Sequence, residues 1–193
     1  MKSFQQVISE AQAQGPVRVA VAQAADQGGL SAIIEAKKIG IAEGVLVGDR
    51  KAISSLLIGF DENPTNYTIV DATSPDDCAK QAVTAVNSGQ ADVLMKGLLQ
   101  TATFLRPVLD KERGLRTGRL ISQASVFEWP ERERLLIVTD CAINITPDLK
   151  QKRDILENGI KLALALGIET PHVAAICALE LVNPDMPETV EAA

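Results

Sequence analysis

Short aliphatic runs alternate along this chain with longer stretches in which apolar residues recur every three or four positions. Residues 17–21, with Val17, Val19 and Val21, read as a buried strand, followed by a helix over 30–39. Residues 44–47 form a second strand ended by Gly48 and Asp49, with a helix around 50–58; residues 67–70 form a third. Ser74, Pro75, Asp76 and Asp77 make a strong helix start: a capping hydroxyl, proline at the first helical position and acids in the first turn. That helix buries Ala79, Ala82, Val83 and Val86 and stops at Gly89. Residues 92–95 are a fourth strand, which delivers Lys96 at its end. Residues 120–127 and 135–138 predict two more strands, and Thr146, Pro147 and Asp148 open a long helix to about Leu166. Its apolar stripe is Ile155, Leu156, Ile160, Ala163 and Leu164, with Gly167 as the stop, and residues 173–176 predict a last strand. Strands alternating with helices imply βαβ units and a largely parallel sheet, the α/β class. Residues 183–193 open a further helix that ends before a second full turn, so the expectation is a chain lacking its C-terminal portion.

Composition narrows the picture. A length of 193 residues allows one large domain or parts of two, and aromatics at 3% leave the core to Ala, Val, Leu and Ile. No apolar run reaches the roughly 18–20 residues that span a bilayer, and the first 14 residues are too polar for a signal peptide. Cys78, Cys141 and Cys177 are widely spaced and form no paired motif, which points to a cytoplasmic protein with reduced, mostly buried thiols and no zinc site. The net charge of −6 argues against a general nucleic-acid binder.

Against that acidic background stands a basic island. Positions 96–119 hold Lys96, Arg106, Lys111, Arg113, Arg116 and Arg119 against Asp110 and Glu112, a local charge of +4. A compact positive patch suits a small, highly charged anion such as a phosphate ester. In open α/β sheets ligands bind outside the carboxyl ends of the strands, where Lys96 and Gly97 fall. Thr101 and Thr103 stand near the start of the following helix, whose free N–H groups attract anions. Arg106, beside Pro107, is expected in that helix's first turn, where the dipole disfavours a cation by about 0.3–1 kcal/mol unless an anion compensates. The competing reading is an exposed arginine in solvent. Arg116 and Thr117, between Gly114 and Gly118, suit either a phosphate contact or a solvated turn; Lys111 and Arg113 are expected at the surface. Asp140 and Asn144 follow the strand ending near Thr139, where such residues orient ligands or serve turns and caps. Cys141 has no nearby histidine and is expected to be a buried thiol, and His172 to lie at the surface. The GxGxxG pattern of dinucleotide sites is absent.

Taken together, the run through Leu94, Lys96, Gly97, Thr101, Phe104, Arg106 and Leu109 is followed by Gly114 to Arg119, Thr139 to Pro147 and Val182 to Met186. In this order and spacing the motifs resemble the phosphate acetyl/butyryltransferase family, from near the first residue to the last. The resemblance implies an isocitrate/isopropylmalate dehydrogenase-like architecture of two α/β domains, 1–117 and 118–193, the first lacking its C-terminal return. It implies transfer of an acetyl, butyryl or branched acyl group between coenzyme A and inorganic phosphate, with no tightly bound cofactor or metal, in a cytoplasmic homodimer. By the same resemblance Arg106 binds phosphate or the acyl phosphate, Lys96, Gly97, Thr101, Arg116 and Thr117 line the same cleft, and Asp140 and Asn144 face it. Gln100 and Gln123 stand where many butyryl-type members have histidine. The family's late Ser-Arg pair and presumed thiol-activating aspartate fall beyond residue 193, so the chain is expected to hold half of an active site. A non-catalytic module binding phosphate or CoA esters is the alternative.

Overall fold

The computed structural model describes residues 1–193, which divide into two compact units: Ile8–Thr117, and Gly118–Ala193 together with Met1–Val7. Helix α1 (Phe4–Gln14) therefore belongs to both.

The first unit is a three-layer α/β sandwich. Strands β1 (Val17–Ala22), β2 (Ala42–Gly48) and β3 (Thr68–Asp71) are joined through helices α2 (Gln27–Lys38) and α3 (Arg50–Gly59). Helix α4 (Pro75–Asn87) then crosses to β4 (Val93–Lys96), which is followed by α5 (Thr101–Val108). The sheet is parallel throughout, in the order β3-β2-β1-β4. Successive side chains of a strand point to opposite faces, so Val19, Val21 and Leu46 pack with Leu30, Ile33, Ile53 and Leu57 of α2 and α3. Ala20, Ala22, Val45 and Val47 pack on the other face with Cys78, Ala79, Ala82 and Ala85 of α4 and with Leu99. Burial of a side chain such as Leu46 or Ile53 stabilises by about 1.5–3 kcal/mol. On the α4 face small residues meet small residues, and the helix lies close to the sheet. The start of α4 conforms to the sequence, with Ser74 accepting a first-turn backbone N–H. Helix α2, in contrast, begins at Gln27, three residues before the expected Leu30, because Asp26 caps it; Asp49 caps α3 in the same way.

The second unit departs from the expected pattern. Its strands β5 (Ala124–Trp129) and β6 (Arg134–Thr139) form an antiparallel ribbon, not parallel neighbours. Only residues 130–133 join them, far too few for the crossover of a dozen or more residues that parallel strands need. Pro130 opens a tight turn there, and Glu133 closes it in the left-handed conformation. The strand predicted over 120–127 begins only at Ala124, because side chains take the backbone acceptors before it. Asn158 donates to the Leu120 carbonyl at 3.0 Å, Asn144 to that of Ile121 at 3.0 Å, and the Thr139 hydroxyl to that of Gln123 at 2.6 Å. Helix α6 (Leu149–Ala165) opens on a capping box of Asp148 and Gln151 and buries Ile155 and Ala163, whereas Leu156 and Leu164 of the expected stripe stay exposed. Residues 173–176 pair with no strand; Val173 is 55% and Ile176 91% exposed. Its aliphatic composition satisfies the pattern for a strand, but without a hydrogen-bonded neighbour none forms. The final helix α7 (Pro187–Ala192) is tied to α6 by an ion pair between Lys152 and Glu191. No helix is long and apolar enough to cross a membrane.

Candidate functional site

The chain runs β1, β2, β3 outward in one direction and then returns to place β4 on the other side of β1. The carboxyl ends of β1 and β4 therefore flank the point where the winding reverses, the usual place for a ligand in an open α/β sheet. Lys96 and Gly97 stand there. The Gly97 N–H donates to the Ala22 carbonyl at 2.9 Å and the Leu98 N–H to the Gln23 carbonyl at 3.3 Å, so the strand-end turn is bound to the end of β1. A Cβ on Gly97 would lie 2.3 Å from the Gln23 carbonyl oxygen and 2.7 Å from that of Ala22, which only glycine avoids. The Lys96 ammonium curls over the turn and donates to the Leu99 carbonyl at 2.9 Å.

Helix α5 begins directly after this turn with no side-chain cap. Its first backbone bond runs from the Phe104 N–H to the Gln100 carbonyl, at 3.0 Å, which leaves the N–H groups of Thr101, Ala102 and Thr103 unclaimed. The contrast is local, because α2, α3, α4 and α6 all carry an Asp or Ser cap. Free donors, the positive end of the helix dipole and an adjoining ammonium together favour an anion.

Arg106 is not where the sequence suggests. Helix α5 starts at Thr101, so Arg106 lies in the last turn, and Pro107 is inside the helix near its end. A cation there is favoured by the dipole. Arg106 therefore needs no bound anion to offset the helix dipole. The guanidinium pairs with Asp76 in the first turn of α4 at 2.8 Å, with side-chain exposures of 69% and 55%. Such an open pair contributes about 0–1 kcal/mol and leaves the remaining N–H donors free. Because α4 begins at the carboxyl edge of the sheet, the pair holds the guanidinium at that edge.

The basic loop that follows is held by its backbone. Asp110 accepts the N–H groups of Glu112 and Arg113, at 2.9 and 2.8 Å, which hold its carboxyl below the usual range, and the Asn87 amide donates to the Arg113 carbonyl. Arg116 and Thr117 are exposed and make no side-chain bond, as are Lys111 and Arg113.

In the second unit, the Asp140 carboxylate accepts the N–H groups of Ala142 and Ile143, each at 2.9 Å, and the Asn144 amide at 2.6 Å. Burial pushes this carboxyl up, but those donors outweigh it and hold it at about 2, from an ordinary 3.8. Asn144 also reaches the Ile121 carbonyl, so the pair closes the 140–144 loop onto the segment before β5. The Gln123 amide oxygen accepts the Cys141 N–H at 3.1 Å. Contrary to expectation, Cys141 is exposed, in the loop that follows β6; of the three free thiols only Cys78 is buried. His172 is exposed.

A depression of about 270 Å³ lies at the opposite, amino edge of the first unit's sheet, beside Arg18, Glu43 and Thr68. Arg18 is committed there to Asp92. None of the residues of the basic island lines it. Two features of the site had no sequence signal: Asp76 reads only as a first-turn acid, and Gln23 as an ordinary residue after a strand.

A sequence model of the family described as phosphate acetyl/butaryl transferase matches residues 65–193. The phosphate butyryltransferase of Clostridium acetobutylicum is 47% identical over 193 residues, covering all of this chain and 64% of that protein. The phosphate acetyltransferase of Thermotoga maritima is 38% identical over 176 residues, covering 91% of this chain and 60% of that protein. Among solved structures, a branched-chain phosphotransacylase from Enterococcus faecalis superposes with a TM-score of 0.75 at 28% identity, over 91% of this chain and 61% of that one. The chain thus spans a little under two-thirds of the length of these relatives. The family match covers the strand-end turn, α5, the basic loop and the Asp140 loop alike, and on it the chain belongs to the phosphate acetyl/butaryl transferase family.

Proposed function

We propose that this protein moves a short-chain acyl group, acetyl, butyryl or branched, reversibly between coenzyme A and inorganic phosphate, in the cytoplasm and as a homodimer of isocitrate dehydrogenase-like architecture with domains 1–117 and 118–193. The observation that carries the reading is the uncapped amino end of α5 beside Lys96 and Gly97 at the winding reversal, in a chain of this family. The names of the relatives, butyryl-, acetyl- and branched-chain, bracket the acyl group.

In the direction from acyl phosphate, the coenzyme A thiolate attacks the acyl carbonyl. A carbon–sulfur bond forms, the carbon–oxygen bond to phosphate breaks, and phosphate leaves with the electron pair. The work required is alignment, together with stabilisation of negative charge on the tetrahedral oxyanion and the departing phosphate. The Thr101, Ala102 and Thr103 N–H groups and the Lys96 ammonium are suited to the phosphate oxygens, and Gly97 lets the backbone approach. Arg106 turns its free donors to the same anion while Asp76 steadies it, and Arg116 and Thr117 supply further contacts. Asp140 and Asn144 are further substrate-binding residues, on a loop that their own hydrogen bonds shape.

The test is acyl-phosphate formation from acetyl-, butyryl- and branched acyl-CoA with phosphate. Arg106→Ala is expected to lower kcat/KM for phosphate roughly 10- to 100-fold, the loss of one or two charge-assisted hydrogen bonds. Unchanged phosphate-dependent turnover in that variant contradicts the assignment. Phosphate binding without acyl-phosphate formation by the wild type identifies a binding module instead.

A further inference from the structure

Gln23, the residue that follows β1, holds φ at +58°, in the left-handed region that glycine and asparagine favour and glutamine rarely enters. The other non-glycine residues with positive φ are Asp61, which follows α3, and Glu133, which closes the β5–β6 hairpin. Gln23, like them in a turn, is the one that lies at the winding reversal of the sheet, between the ends of β1 and β4. Its own side chain does not account for the conformation, because the amide oxygen is buried and accepts no hydrogen bond. What the conformation does is present the Gln23 carbonyl to the turn that follows β4. That oxygen accepts the Leu98 N–H and lies 2.3 Å from where a Gly97 Cβ would stand. Three residues after Leu98 comes the uncapped end of α5.

We propose that Gln23 is a positioning residue for the anion site: its left-handed backbone seats Gly97 and Leu98 and so sets where the free N–H groups of α5 point. The inference rests on the phosphate site put forward above and adds a residue from β1 to it. It separates backbone from side chain, and substitution can read the two independently.

The experiment is a titration of the full-length protein with inorganic phosphate, followed by the NMR shifts of the Gly97, Thr101 and Thr103 amides. Steady-state kinetics for phosphate and for acyl-CoA run in parallel. Gln23→Gly and Gln23→Asn keep the left-handed backbone accessible and are expected to bind phosphate as the wild type does. Gln23→Val, a β-branched residue that resists positive φ, is expected to raise the phosphate Kd and KM roughly 10- to 100-fold, while the KM for acyl-CoA holds within about twofold. Should the valine variant fail to fold, Gln23→Ala makes the same comparison with a smaller shift in the same direction. Wild-type affinity in the valine or alanine variant overturns the proposal, and so does an equal loss in the glycine and asparagine variants, which would assign the role to the side chain. Amides unmoved by phosphate in the wild type overturn it whatever the turnover. Moved amides without acyl transfer overturn only the proposed reaction, and the variants' affinities still decide the role of Gln23.

Discussion

At the scale of single residues, the same side-chain chemistry serves either a ligand or the fold, and partners decide which. Asp140 is a strand-end acid in the sequence; in the structure both carboxylate oxygens accept from donors of its own loop. Its pH dependence follows in sign. The folded carboxyl titrates near 2, below its ordinary 3.8, so its contribution is complete above about pH 4 and is lost as pH falls toward 2. Asp140→Asn is expected to be less stable at neutral pH and to lack that increment of acid sensitivity. Urea midpoints of both proteins between pH 6 and pH 2.5 check this, and parallel curves refute it. Arg106 could be read as a cation near a helix start, but its place in the last turn could not, because spacing alone does not say where after Gly97 the helix begins. Gln23 was silent, since nothing in a sequence marks a glutamine that adopts positive φ.

At the scale of elements, the strands and capped helices of the first unit were legible because pattern and punctuation agree. Ser74, Pro75 and the aliphatic spacing of α4 name the same helix from three directions. The alanine face of that helix carries a prediction. Ala82 is fully buried against the sheet among Ala20, Ala22 and Ala85, so Ala82→Leu inserts volume where none is free. A loss of about 1–3 kcal/mol in unfolding free energy is expected, and a midpoint unchanged in urea refutes the close packing. The absent cap of α5 is the more consequential element. Gln100→Asp supplies a side-chain acceptor and a negative charge at that end. It is expected to raise stability by about 0.5–2 kcal/mol while weakening phosphate, because the new carboxylate occupies the same N–H groups. A variant that gains stability and binds phosphate unchanged would place the anion elsewhere.

At the scale of the whole chain, the α/β class was legible and the pairing in the second unit was not. Both β5 and β6 read as strands, but their antiparallel pairing is fixed by a connection of four residues, which excludes a crossover. Residues 173–176 show the converse limit: strand composition yields no strand without a neighbouring edge to bond. Charge distribution is a property of this scale as well, a +4 segment in a chain of −6. The most direct measurement is the initial rate of coenzyme A thiol release from butyryl-CoA as a function of phosphate, for the full-length wild type and Gln100→Asp. The account predicts saturable, phosphate-dependent release that forms butyryl phosphate. In the variant, half-saturation by phosphate shifts several-fold upward, the reach of a helix-terminal charge of about 1 kcal/mol, while half-saturation by butyryl-CoA stays unchanged. Release independent of phosphate, or one phosphate dependence shared by both proteins, contradicts it.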